Sequence, residues 1–211
     1  ELGAVSSATQ TQMKLLSDAA LKAGADTTFS ALEAAEAQTE LAKAGLTVDQ
    51  IMGGALAGTL SLAAAGGLDL ADAAIVSANA LNAFKLSGDQ TTHVADLLAA
   101  AANKSAADVS ELAPALQQSA LVAAQMGLSL EETTGGLAAF AQAGLKGSDA
   151  GTSFKTFLQR LVPQTEEASK AMEAMGLSFF DGNGKFVGLT ETAGRLKTAL
   201  GGMTDEQRNS T

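Results

Sequence analysis

A recurring helix stop constrains this chain of 211 residues more than any other feature: a small or flexible residue, then Gly-Leu, often followed by a polar capping residue. It stands at Ala44-Gly45-Leu46-Thr47, Met126-Gly127-Leu128-Ser129, Ala143-Gly144-Leu145 and Met175-Gly176-Leu177-Ser178. A glycine just past a helix takes the left-handed conformation that closes the last turn, and the leucine after it packs back on the same helix. Gly45, Gly127, Gly144 and Gly176 are therefore read as helix-stop glycines. Thr47-Val48-Asp49-Gln50 and Ser129-Leu130-Glu131-Glu132 then read as capping boxes that start the next helix at once. The pattern predicts a stack of short helices joined by tight turns. The four stops are unevenly spaced, so they do not support a strict solenoid repeat.

Helix signals fill most of the sequence. A first helix is expected from about Val5 to Ala23, stopping at Gly24, and Ser30-Ala31-Leu32-Glu33 opens a second that runs to Ala44. Val48, Ile51, Met52, Leu56 and Leu60 form a buried stripe on a helix of about 48–65. Asp69 caps a helix whose Leu70, Ala74, Leu81 and Phe84 share a face. Ser87 and Ser105 begin two more, and Pro114 is expected to kink or divide the second. Further helices follow over about 130–143, 149–161 (with Ser148 or Asp149 as N-cap) and 164–175, then Leu189 to Leu200. Between the last two, Phe179 to Val187 reads as a short β-hairpin, with apolar ends around an Asn183-Gly184 turn. The expected fold class is thus all-α: a multi-helix module with one small hairpin near 179–187.

Alanine and glycine make up roughly a third of the chain and aromatics only 4%, which favours closely approaching helices. There is no cysteine, so disulfides, thiol nucleophiles and cysteine metal sites are excluded. The formal charge of −10 is unevenly placed. Residues 1–145 hold fifteen acids against five bases, while 146–211 hold eight of each. Acidity without a basic stripe argues against sequence-specific nucleic-acid binding, whose affinity comes mostly from neutralised phosphates. Two regions are expected: an acidic Ala/Gly-rich helical core over 1–165, and a helix, hairpin and helix over 166–211. No signal peptide is visible, the chain opens at Glu1, and Thr204-Asp205-Glu206-Gln207 looks like another helix start. Both ends look cut, as in a piece of a longer protein.

Few motifs carry chemistry. The uncharged stretch Ile51–Leu68 reaches about 27 Å at helical rise, close to the roughly 30 Å hydrocarbon core, and Gly54 and Gly58 match the small-residue motif of paired membrane helices. Yet twelve of its eighteen residues are Gly, Ala, Ser or Thr, which gain little in lipid. A buried helix whose Gly54 and Gly58 admit a close neighbour is the favoured reading; a membrane-active segment is the alternative. Asp181-Gly182-Asn183-Gly184-Lys185 opens like a calcium loop, but Lys185 occupies a ligand position and Thr192 stands where a bidentate Glu is needed. Gly144 to Thr152 is glycine-rich, but its Lys146 precedes Gly147 and Gly151, and no buried strand comes before it, so it is not a phosphate loop. His93 is the only histidine, and no spacing brings carboxylates beside it. Glu131-Glu132 and Glu166-Glu167 sit in first helical turns, where acids complement the helix dipole. No catalytic residue, cofactor or metal ligand is indicated.

The ordered segments resemble a known family. Asp26 to Ala37, Glu40 to Thr47, Ala78 to Phe84, Val94 to Asp96, Ala100 to Asn103, Gly127 to Thr133, Ala143 to Ser148 and the Met175-Gly176-Leu177 stop are similar to the core region of phage tail tape-measure proteins, in that family's order and over nearly the whole chain. The resemblance implies a structural, mostly helical protein of the virion tail. It implies a scaffold that sets tail length, made in the host cytoplasm, lodged in the tail tube or tip and released at genome ejection. Implied partners are other tail proteins (tail tube, distal tail or baseplate hub, assembly chaperones) and further copies of itself, with membrane contact at ejection as the alternative role in a genome-delivery channel. No residue inherits a chemical role from it.

Overall fold

The computed structural model describes residues 2–204; the helix start expected over 204–207 lies largely outside them, at 205–207. Its elements are set mostly by side-chain caps. Thr9 with Gln12, Ser30 with Glu33, Thr47 with Gln50 and Ser129 with Glu132 form reciprocal capping boxes, opening α2 (Gln10–Asp26), α3 (Ala31–Lys43), α4 (Val48–Gln50) and α9 (Leu130–Gln142). Asp69 accepts from Ala71 N at 2.9 Å to open α6 (Leu70–Phe84). A 3-10 turn behind Ser87 leads into α7 (Thr91–Asn103).

Several boundaries differ from those expected. The first helix is two, α1 (Leu2–Ser6) and α2, because Ser7 takes a left-handed φ of +51°. The helix over 48–65 is broken at Gly54, whose φ of +132° fits no helix; a π-helical turn over Ile51–Ala55 links α4 to α5 (Leu56–Gly66). Asp108, not Ser105, caps α8 (Val109–Gln125), since Ser105 turns back to accept from Ala107 N. The helix α8 continues through Pro114 without dividing. Neither Ser148 nor Asp149 is an N-cap: both lie inside α10 (Gly147–Arg160), which starts behind Lys146. Helices α11 (Glu166–Ala174) and α12 (Leu189–Leu200) complete the order.

The predicted β-hairpin is not formed: among the described residues there is no strand. Phe180 and Phe186 make a single antiparallel bridge. The turn is centred on Gly182-Asn183 rather than Asn183-Gly184, with Gly184 N donating to Asp181 O at 3.0 Å and Gly184 at φ +77°. The Asp181 carboxylate accepts from the amides of Asn183 and Lys185, both at 2.9 Å, and so organises the turn by itself. Its arms end almost at once, one at the α11 stop and the other at Gly188 (φ +89°), and no third strand is present to extend a ladder.

The core is a continuous band of leucine and alanine. Leu16, Leu41, Leu62, Leu98, Leu116 and Leu137 are essentially inaccessible, and so are many of the alanines facing them. Such small partners let helix axes approach closely, and three of the eight phenylalanines cluster where the Phe154 ring meets Phe140 edge-on at 5.5 Å, with Phe157 beside them. Asn82 Nδ2, in the last turn of α6, donates to Ala44 O at the end of α3 (2.9 Å). Gln142 Nε2, in the last turn of α9, donates to Lys104 O at the end of α7 (2.7 Å). The helices of each pair therefore meet at their C-terminal ends, as parallel neighbours do.

Candidate functional site

The glycine positions singled out in the sequence have distinct surroundings. Gly45, Gly127, Gly144 and Gly176 follow α3, α8, α9 and α11 with φ between +65° and +93°. After each, the leucine amide donates back to a carbonyl in the helix just ended, for example Leu46 N to Leu41 O at 3.1 Å. Gly54 and Gly58 face the segment 88–92 of the same chain. A methyl group on Gly58 would lie 2.5 Å from Thr92 N, and one on Gly54 2.8 Å from Asp89 Cα. Both sites thus admit backbone where any side chain would collide.

Beside this contact lies an apolar groove of about 680 Å³ between the end of α2, the 27–29 loop and α5. Phe29, Met52, Leu56 and Leu60 line it, with Lys22 and Asp26 at the rim. The stretch 51–68 is not one span: α5 holds eleven residues, about 16 Å at helical rise. No helix among the described residues is long and apolar enough to cross a membrane.

One polar pair escaped the sequence reading. His93, at the start of α7, has a carboxylate beside it after all: Nε2 lies 2.8 Å from Glu131 Oε1, at the start of α9. The hydrogen bond with His93 is the main cause holding the Glu131 carboxyl below its ordinary range, and because an ionised carboxylate only accepts, Nε2 is the donor. The two residues are 38 apart in sequence, and only the parallel packing of α7 and α9 unites them. Both side chains are about half exposed, and among the described residues no three His, Asp or Glu side chains converge as metal ligands would.

Three other carboxyls are held low by local hydrogen bonds. Glu33 accepts from the Ser30 amide and hydroxyl, Glu111 from the Asp108 amide with Lys146 alongside at 3.2 Å, and Asp181 from the Lys185 and Asn183 amides. A carboxyl whose folded pKa is depressed stabilises the fold above its unfolded pKa and loses that contribution as pH falls through the folded value. The melting temperature is therefore expected to hold from pH 7 to about 5 and to fall as pH drops below about 4. Thermal melts followed by circular dichroism read this directly, and a transition unmoved between neutral pH and about pH 2.5 would contradict the capping assignments.

Comparison with known proteins covers nearly the whole chain. A profile of phage-related minor tail proteins matches residues 17–211. The tape measure protein of Pneumococcus phage Dp-1 is 43% identical over 206 residues, 98% of this chain and 18% of that protein. A probable tape measure protein of Escherichia phage P2 is 36% identical over 173 residues, 82% of this chain and 21% of its own length. The chain thus spans about a fifth of these curated relatives. No solved structure matches it.

Proposed function

Because this chain belongs to the phage-related minor tail protein family, as a tape-measure segment, we propose that it is a non-enzymatic scaffold of the phage tail. It sits in the tail tube or tip, contributes to assembly and length determination through contacts with other tail proteins and further copies, and leaves before the genome. The observation that carries this reading is the 43% identity along 98% of the chain to a protein named as a tape measure. The structure is consistent with it. The polar residues are used mainly for caps and surface pairs, and the groove beside α5 offers an apolar docking surface rather than a converging set of reactive groups. The net charge of −10 suits a DNA conduit, because a surface of like charge repels the genome instead of holding it.

An epitope inserted between Gly182 and Asn183 of the full-length protein tests location, since both residues are exposed on a turn. The expected result is an epitope present in purified tails, protected from protease, and released once ejection is triggered. An epitope absent from tails, or equally accessible before and after the trigger, would overturn the placement.

A further inference from the structure

The four Gly-Leu stops are unevenly spaced, yet another set of markers recurs at a fixed interval. Left-handed residues stand at Ser7 (φ +51°), Gly67 (+56°) and Gly127 (+82°), each sixty positions after the last. The N-caps Thr9, Asp69 and Ser129 follow at the same interval, and so do the helix starts Gln10, Leu70 and Leu130. The second helices α3 (31–43) and α7 (91–103) share length and phase. The third helices begin behind the capping residues Thr47 and Asp108, sixty-one positions apart, each in a capping box with the residue three further on. The bonds Asn82 to Ala44 O and Gln142 to Lys104 O are one contact repeated sixty positions on, each across 38 residues.

Burial repeats as well. The stripe Ala74, Ser77, Ala78 and Leu81 on α6 is buried, and so is Thr134, Leu137, Ala138 and Ala141 on α9. The matching stripe on α2 is Lys14, Ser17, Asp18 and Leu21. It is exposed and carries two charges. Leu21 is 62% exposed where Leu81 is 1%. The close approaches between third and second helices recur too: Gly58 of α5 meets the Thr91–Thr92 backbone of α7, and Gly151 of α10, sixty positions after Thr91, meets the Ala115 backbone of α8. The stop glycines hid this order because they close different helices of the unit: Gly144 the first, Gly45 the second, Gly127 and Gly176 the third.

We infer that the chain is an array of units of one design, two over 8–67 and 68–127 and a third begun at 128 that keeps the first helix and the Gly151 approach, in which each interior face recognises a further unit of its own kind. The middle unit is then a module that can be removed or added whole.

Deletion of 68–127 joins Gly67 to Leu128-Ser129, so a left-handed residue again precedes an N-cap. Tandem duplication of 68–127 makes the complementary change. A thirty-residue deletion of 68–97 removes less but joins Gly67 to the middle of α7. The expected result is one cooperative thermal transition and unchanged mean-residue helicity in at least one of the two whole-unit variants, with loss of cooperative melting in the smaller deletion. Loss of cooperative melting in both whole-unit variants would overturn the inference, and so would a cooperative transition in the thirty-residue deletion.

Discussion

Replacing Gly151 by alanine is expected to destabilise the chain by about 3 kcal/mol and lower its melting temperature by roughly 9 °C. The added methyl group would stand 2.3 Å from the carbonyl oxygen of Ala115 and 2.8 Å from its Cα. Those are main-chain atoms inside α8, so no rotamer change relieves the clash. The helices α8 and α10 must separate, and the buried face of α10, with Ala150, Phe154 and Leu158, loses its fit. Gly135 is the control. It lies within α9 with nothing within 4 Å of the place a methyl group would take, so Gly135→Ala is expected to stabilise by about 0.5–1 kcal/mol through reduced unfolded-state freedom. Equal destabilisation by both changes would mean that helix approach is not what holds this region.

The second large effect is expected at Phe154. Its side chain is 1% exposed and packs against Phe140 at 5.5 Å and Phe157 at 6.4 Å between ring centres. Phe154→Ala removes both the buried ring and its edge-on contact, for an expected loss of about 4 kcal/mol by denaturant unfolding. In a core made largely of alanine and leucine, few neighbours are large enough to move in and fill the void. Phe157 is only partly buried, so Phe157→Ala is expected to cost clearly less. A loss at Phe154 no greater than at Phe157 would show that the cluster collapses freely.

Local chemistry in the sequence was a good guide where one side chain decides the outcome. A Ser or Thr with Glu or Gln three residues on marked the starts of α3, α4 and α9, because both halves of the box lie within one turn. It failed where the deciding partner is distant. Gly54 breaks a helix that its own neighbours favour, since the chain there must fit over Asp89. Asp108 displaced Ser105 as a cap because it alone has Glu111 at the reciprocal position. The hairpin signal at 179–187 was sound for a turn but not for strands, which need a partner sheet. The His93–Glu131 pair was invisible because it depends on the register of two parallel helices. Gly54 and Gly58 were noticed for their spacing, but the backbone they face at 88–92 could be found only in three dimensions.

Membership of a phage-tail family and a core of closely packed leucine and alanine both support the proposed scaffold role. Tail length tests that directly. In a phage whose full-length tail protein lacks this segment, electron micrographs are expected to show tails that are absent or shortened, by at most roughly 300 Å at the helical rise of about 1.5 Å per residue. Tails of normal length that bind the host but fail only after ejection begins would contradict a scaffold role and favour a segment acting at the host envelope.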